Sequence, residues 1–437
     1  MKIKKQKDEH TNIGFGRPRT CHGLETEAKQ KVKKIFIAPG NAGTNTVGQN
    51  LPVDTDDFEQ IKKVCIENCI DLLVVGPEVP LVKGIADYFL NDTILRAIPV
   101  IGPVGKGAML EGSKAFAKDF MLKYGIPTAG YLSVTAQNLD GGISFLKKLK
   151  APYVLKADGL AAGKGVLILQ SLSEAEGALK EMINGKFGQA SAQVVIEEFL
   201  TGVELSAFVI TDGISYKVLP SAKDYKRIGE DDTGPNTGGM GAVSPVVFAD
   251  KKFMDKVEEC IIIPTVKGLS KEKIDYRGFI FFGIMNVNGD PFVIEYNVRL
   301  GDPEAECILP RLKSDFAEML NACANQQLAD YRIETDDRCA VTVMLVSGGY
   351  PDNYLKGKTI SGLKEVSDCI VFHAGTTIDF TNETIKTSGG RVIAVTALDF
   401  SIEGAKKTAT ANAEKINYEG RYFRKDIAND LINYRLI

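Results

Sequence analysis

Histidine is scarce in this chain. There are three among 437 residues, and no Ser/His/Asp or Cys/His arrangement accompanies them, which excludes a nucleophilic triad and a zinc site. The eight cysteines are scattered, and only Cys65 and Cys69 lie close together, four apart on an expected helix. That scatter excludes a disulfide framework and reads as buried thiols in a reducing cytoplasm. No apolar run approaches 18 residues, so no membrane span is expected. The opening MKIKKQKDEH is charged and lacks an apolar centre, so it does not read as a secretory signal. A net charge of −3 argues against a nucleic-acid partner. Short basic runs such as FLKKLK (145–150) read as solvated helix faces. No period of 20 to 50 residues appears, which excludes a solenoid. Tryptophan is missing altogether.

What is present fits a cytoplasmic, multidomain enzyme acting on small molecules. At 437 residues the chain is about three times the usual domain length. KIFIAP, DLLVVGP and AIPVIGP read as strands alternating with the helical patterns FEQIKKVCIENC and LVKGIADYFL. Such alternation predicts a doubly wound parallel sheet. The loops PGNAGT (39–44) and GPEVPL (76–81) follow strand ends, where open α/β sheets bind ligands. A helix opens at GSKAFAK (112–118) with Lys114 and Lys118 on one face. Antiparallel strands joined by glycine-rich loops then run through PYVLKADGLAAGKGVLIL and QVVIEEFLTGVELSAFVI. GFIFFGIMNVNGDPFVIEYN predicts a hairpin turning at NVNGDP. From about Cys339, AVTVMLVSGG, DCIVFHAG and GGRVIAVTAL precede a helix at SIEGAKKTATANAEKI, as in a small separate α+β domain. The expected class is α/β and α+β multidomain. An N-terminal doubly wound domain spans 1–110, a central unit 111–330 carries a lid at about 124–196, and a C-terminal α+β domain spans 331–437.

Four segments carry chemistry. AAGKGV (161–166) is a glycine-rich turn between strands. Gly163 and Gly165 would let backbone N–H groups approach phosphate, and Lys164 adds a charge. It is not a Walker A loop, because Gly165 follows the lysine and a strand follows the turn. A hairpin with glycine at positive φ has the same sequence, so the turn alone decides nothing. Lys156 sits in the apolar strand PYVLKADG, and a buried lysine needs an anion. A triphosphate suits two lysines flanking a glycine hairpin better than a structural salt bridge does. VVIEEFL (194–200) is a strand whose edge could hold adenine, and Glu204 could take ribose hydroxyls; taken alone, a hairpin with solvated acids is the favoured reading. In VIEYNVRLGD (293–302), Glu295, Asn297 and Arg299 share a face at period two. A carboxylate with an amide oxygen suits Mg²⁺, and Arg299 beside them can hold a phosphoryl group or a carboxylate. The glycine-laden DDTGPNTGGMG (231–241) has too many glycines for packing and reads as a flexible cover. Upstream of it, Asp224, Lys226 and Arg227 suit a polar or phosphorylated substrate. Lysines, an arginine and a metal without a nucleophile point to phosphoryl transfer.

This order of motifs resembles the ATP-grasp superfamily and, within it, the phosphoribosylamine–glycine ligase family of purine biosynthesis. PGNAGT, GPEVPL, LEGSKAFAKDFM, VLKADGLAAGKGV, IEEFLTGVELS, TGPNTGGMG, EYNVRLGDPE, VFHAGT and SGGRVIAVTA carry the resemblance over about nine-tenths of the chain. It implies a central ATP-grasp domain and a glycyl phosphate formed from glycine and ATP, then captured by 5-phosphoribosylamine. Glu295 and Asn297 would hold Mg²⁺, with Mn²⁺ as a substitute. Lys114, Lys156, Gly163, Lys164 and Gly165 would meet the ATP phosphates, with Glu197, Glu198, Phe199 and Glu204 around the nucleoside. Arg299 and Asp302 would serve the acyl phosphate. Asp224, Lys226 and Arg227, with Asn41, Gly43 and Thr44 in the sheet-edge loop, would meet phosphoribosylamine. A monomer or homodimer is expected. One competing reading, another ATP-grasp enzyme of the same pathway, would share the ATP elements but lack the HAGT and GGRV segments. Another is an ATP-binding protein inactivated by its N-terminus.

The departure is at the front. The family opens with a strand running into LGSGGREHA and a helix, whereas residues 1–30 show neither strand pattern nor helical periodicity. Codons permitted for residues 13–30, read one base later, give LGSGGREHAMAWKLKQS, which also supplies the missing tryptophan. We read this as a compensated frameshift, in the gene or in its reading. Resequencing the coding DNA tests it, since codons that cannot yield GGREHA in the shifted frame would refute it.

Overall fold

The computed structural model describes residues 32–160 and 165–434 together with the backbone of 11–15. The N-terminal β-branched runs form five parallel strands: β1 (Thr11–Phe15), β2 (Val32–Ile37), β3 (Gln49–Asn50), β4 (Leu72–Val74) and β5 (Val100–Ile101), in the order β3-β2-β1-β4-β5. β1 corrects the expectation of no strand before residue 31. Ile13 stands opposite Ile35 of β2 on one side and Leu72 of β4 on the other. Five residues of TNIGF are too short to announce a strand by pattern, and two waiting edges decide the matter. Helix α1 (Phe58–Glu67) starts where the Asp57 side chain accepts the Gln60 N–H. The single helix expected around 81–90 is two, α2 (Glu78–Val82) and α3 (Ile85–Asn91), parted at Gly84 with φ 83°. Cys65 is buried in α1, while Cys69 lies past its end at φ 50° and is exposed. Cys307 and Cys323 are buried as expected, Cys260 is exposed, and Cys21 lies outside the described residues.

Helices α4 (Gly105–Gly112) and α5 (Lys114–Lys123) lead to a four-stranded antiparallel sheet. It comprises β6 (Tyr131–Val134), β7 (Tyr153–Ala157), β8 (Val166–Leu169) and β9 (Val194–Glu197), in the order β6-β9-β7-β8. Helices α6 (Leu139–Leu146) and α7 (Leu172–Ile183) cover it, and Val134, Leu146, Leu155, Leu179 and Ile196 close a core of its own.

The remaining strands are β10 (Val203–Thr211), β11 (Tyr216–Asp224), the short hairpin β12 (Arg227–Gly229) and β13 (Thr233–Asn236), β14 (Gly241–Ser244), β15 (Gly278–Val287), β16 (Asp290–Asn297), β17 (Cys339–Val346), β18 (Ile370–His373), β19 (Thr376–Asp379), β20 (Thr384–Thr387) and β21 (Arg391–Asp399). β15 and β16 turn at Asn288 and Gly289, both at positive φ, as a two-residue hairpin requires. Eight strands make one sheet in the order β16-β15-β10-β11-β14-β17-β21-β18. The C-terminal strands, expected in a small α+β domain, continue this same sheet. β14 pairs with β17, Gly241 opposite Val343, and carries the ladder across the boundary. Phe208, Ile280 and Phe282 are fully buried in its middle, each worth about 1.5–3 kcal/mol by apolar burial. No helix of the described residues is long and apolar enough to cross a membrane.

Candidate active site

The start of α5 is tied to the end of β7. Ser113 caps the helix by accepting the Phe116 N–H at 3.0 Å, and its own hydroxyl donates to the Asp158 carboxylate at 3.0 Å. Asp158 also accepts the Ala115 N–H at 2.7 Å, which fixes the two lysine faces relative to each other. Lys118 and Lys156 then converge on Glu197, each at 2.9 Å, all three nearly inaccessible. Lys156, read as suiting a triphosphate better than a structural salt bridge, thus has a carboxylate partner within the fold. Its ammonium also approaches the Ile294 carbonyl at 3.3 Å, on the strand that carries Glu295. Burial pushes the Lys118 ammonium down to about 8 against the pull of Glu197, and it donates to Thr128 at 2.7 Å. Burial also opposes the charge on Glu197, but Lys156 and Lys118 overcome it and hold the carboxyl below its usual range. Lys114 is pushed down by burial, with Glu295 opposing and Lys156 adding to the effect.

A second set of charges meets the first at Glu295. Lys226 pairs with Glu204 at 2.8 Å. Burial works against its charge, yet Asp224, Glu204 and Glu295 together hold its ammonium well above the usual range. Burial and the neighbouring carboxylates raise Asp224, with Lys226 opposing. Asp224 and Lys226 therefore stand with Glu204, on the side assigned to the nucleoside. Arg227 does not join them: it is exposed and donates to the Gly234 carbonyl of its own hairpin at 2.7 Å.

Arg299, just past β16, is pinned by acids from two other elements. It donates to Glu111 of α4 at 2.9 Å and lies 3.6 Å from Glu78 of α2. Glu111 also accepts the Val298 N–H at 2.8 Å. Burial raises the Glu111 carboxyl, with Arg299 opposing. Arg299 Nη2 donates to Asn297 Oδ1 at 3.2 Å, while its Nε is buried and hydrogen-bonds nothing among the described residues. Asp302 meets Arg391 of β21, at 3.1 Å to its carboxylate and 2.8 Å to its carbonyl. Glu304, not singled out by sequence, is buried and accepts from Ser206 at 3.2 Å. Burial and then Asp224 push its carboxyl up to about 7.

The other expected residues divide. Gly163 and Lys164 lie outside the described residues, while Gly165 is buried and its carbonyl accepts the Ala157 N–H. Glu198 is exposed with its N–H given to the Gly130 carbonyl, and Phe199 is 37% exposed beside it. Asn41 is occupied: its carboxamide oxygen accepts the Gly43 and Thr44 N–H groups, and its nitrogen donates to the His373 carbonyl at 2.6 Å. The loop read as a glycine-rich cover is exposed over 231–236 and packed only at its end. A Cβ on Gly238 would meet Arg391 at 2.8 Å, on Gly239 Pro303 at 2.4 Å, and on Gly241 the Thr342 carbonyl at 2.5 Å. Its glycines mark close approach, which sequence cannot distinguish from slack. Sequence reasoning also passed over Glu78, Glu111, Asp158, Glu304 and Arg391. Glu78 and Glu111 lie inside the quoted segments GPEVPL and LEGSK, where an acid between apolar residues is the available signal.

Glu295 and Asn297 together offer a carboxylate and an amide oxygen with a lone pair beyond the Arg299 contact. Such a donor pair fits a hard divalent cation that borrows phosphate oxygens.

Comparison with known proteins places these features in one lineage. The N domain of phosphoribosylglycinamide synthetase matches residues 20–111, its ATP-grasp (A) domain 112–305 and its C domain 340–430. Phosphoribosylamine–glycine ligase of Caldanaerobacter subterraneus is 43% identical over 399 residues, 91% of this chain and 94% of the relative. The ligase of Escherichia coli O6:H1 is 43% identical over 414 residues, 93% and 95% of the two chains. The crystal structure of the Thermotoga maritima ligase superposes with a TM-score of 0.83 at 37% identity, covering 96% of this chain and 100% of that one. A biotin carboxylase domain from Hydrogenobacter thermophilus, bound to MgADP, shares the fold at 14% identity and a TM-score of 0.69.

Proposed function

The chain belongs to the phosphoribosylglycinamide synthetase family, and from that premise we propose how its residues divide the work of the ligase. The enzyme is an ATP-dependent ligase, phosphoribosylamine–glycine ligase, of purine biosynthesis. The C-domain match disposes of the rival ATP-grasp reading, which required that domain to be missing.

In the first step a glycine carboxylate oxygen attacks the γ-phosphorus of ATP, the bond to ADP breaks, and glycyl phosphate forms. Lys114 and Lys156, with Lys164 of the glycine turn, neutralise the phosphates. Glu204, Glu198 and the Phe199 backbone border the nucleoside, and Glu197 sets the lysines in place. Glu295 and Asn297 hold Mg²⁺, with Mn²⁺ as a substitute, and the ion supplies charge neutralisation at the phosphates. Arg299, fixed by Glu111 and Glu78, presents its positive charge to the carboxylate being phosphorylated. In the second step the phosphoribosylamine nitrogen attacks the acyl carbon, phosphate leaves, and the nitrogen gives up a proton. Asn41, Gly43 and Thr44 border that substrate, with Asp224 and Lys226 facing it from across the site and Asp302 beside the acyl phosphate. A cytoplasmic location, a monomeric or homodimeric assembly, and the division near residues 110 and 330 belong to the same reading.

The observation that carries it is that Lys114 and Lys226 both feel Glu295, while Lys156 reaches the neighbouring Ile294 carbonyl and Arg299 lies against Asn297. Phosphate release from ATP that requires both glycine and phosphoribosylamine, lost in Glu295→Ala, is the test. Glycine-independent turnover, or ATP binding without turnover, would overturn the reading and favour an inactivated nucleotide binder.

A further inference from the structure

One strip of the C-terminal segment touches both walls of the site. The Ala374 N–H donates to the Val392 carbonyl at 2.9 Å and the Gly375 N–H to the Arg391 carbonyl at 2.9 Å, so the ends of β18 and β21 are locked together. On one side this strip receives the loop after β2. Asn41 Nδ2 donates to the carbonyls of His373 at 2.6 Å and Ala374 at 3.1 Å, and a Cβ on Gly43 would fall 2.6 Å from the His373 side chain. On the other side the Arg391 guanidinium, 15% exposed, donates to the carbonyls of Gly238 and Asp302 and pairs with the Asp302 carboxylate at 3.1 Å. By contrast, the side-chain contacts described for Lys114, Lys118, Lys156 and Glu197 stay within residues 114–294.

We propose that this strip is a spacer between the two half-sites, and that Arg391 is a positioning residue for the second step. This rests on the reading above, in which loop 41–44 borders phosphoribosylamine and Asp302 the acyl phosphate. The amine must meet the acyl carbon at about 3–3.5 Å, and a displacement of about 1 Å costs on the order of 10²-fold in rate. A single guanidinium nitrogen, Nη1, that faces two backbone carbonyls and a carboxylate at once fixes that gap. The first step, carried by Lys114, Lys156 and the groups that hold them, whose described contacts do not reach the strip, depends on it far less.

The experiment compares Arg391→Ala and Arg391→Lys with the parent chain in two reactions. In one, phosphoribosylamine is the acceptor. In the other, hydroxylamine replaces it, attacking glycyl phosphate to give the hydroxamate and phosphate. Hydroxylamine is small and needs no seat in loop 41–44. The expected result is hydroxamate formation near the parent rate, with kcat/KM for phosphoribosylamine down on the order of 10²-fold in Arg391→Ala. Arg391→Lys, which keeps the charge on a flexible stem without the rigid planar head, falls between. Equal loss of both reactions in the two variants, or unchanged ligation in both, overturns the proposal. If the parent chain itself makes neither product, the ligase reading fails instead.

Discussion

Glu304 shows how much a single side chain can hide from a sequence. It lies in a GDPE turn that reads as a stop signal, yet its carboxyl is buried beside Ser206 and feels Asp224. Its midpoint rises from the usual 4.5 to about 7, which amounts to about 3 kcal/mol. An acid raised in the folded state binds more protons there than in the unfolded chain. Its contribution is therefore complete below about pH 4.5 and is lost as pH climbs through about 7. The stability of the parent chain minus that of Glu304→Gln, measured by urea unfolding, is expected to fall by about 3 kcal/mol across that window. A difference flat with pH would refute the assignment. That Asn297 and Arg299 meet was legible, because Glu295, Asn297 and Arg299 are spaced at strand period even though the strand ends at Asn297. The Lys118–Glu197–Lys156 triad was not, since its members come from α5, β9 and β7 and no local pattern joins them.

At the scale of elements, most strands and helices followed from periodicity, and the misses have one cause. Where a segment is short, its partner decides its form. TNIGF is a strand because β2 and β4 flank it, and the GGMG end of DDTGPNTGGMG is closely packed because Arg391, Pro303 and Thr342 lie against it. Gly239 makes the point testable. It sits at φ 110° with the Pro303 ring 2.4 Å from where a Cβ would be. Gly239→Ala is expected to cost about 1–3 kcal/mol and to slow ligation by shifting the Asp302–Pro303 turn. Thermal unfolding and kcat together check it. A variant as stable and as fast as the parent would show that the turn yields freely.

At the scale of the molecule, length and motif order delivered the three-part organisation, while the joining of the parts stayed hidden. GAVS is four residues, and nothing in it says that its partner is Val341 and its neighbours. The N-terminal departure also belongs here. Strand β1 is present, so the consequence narrows to the segment that follows it. The 437-residue chain is expected to show a raised KM for phosphoribosylamine, with the KM for ATP unaltered. Writing LGSGGREHAMAWKLKQS into its place should lower the former alone, and equal values in both chains would contradict this.

The β14–β17 ladder has a bearing on how the protein is made. During synthesis the ATP-grasp half leaves the ribosome with one sheet edge open, and it stays open until residues 339–346 arrive. An unpaired edge of this kind is a template for pairing with another chain. Ribosome-bound chains ending near residue 330 should therefore be protease-sensitive around β14, and those extended past residue 399 protected, with equal sensitivity arguing against it. The last strands made are thus also the guard that keeps newborn copies from joining edge to edge.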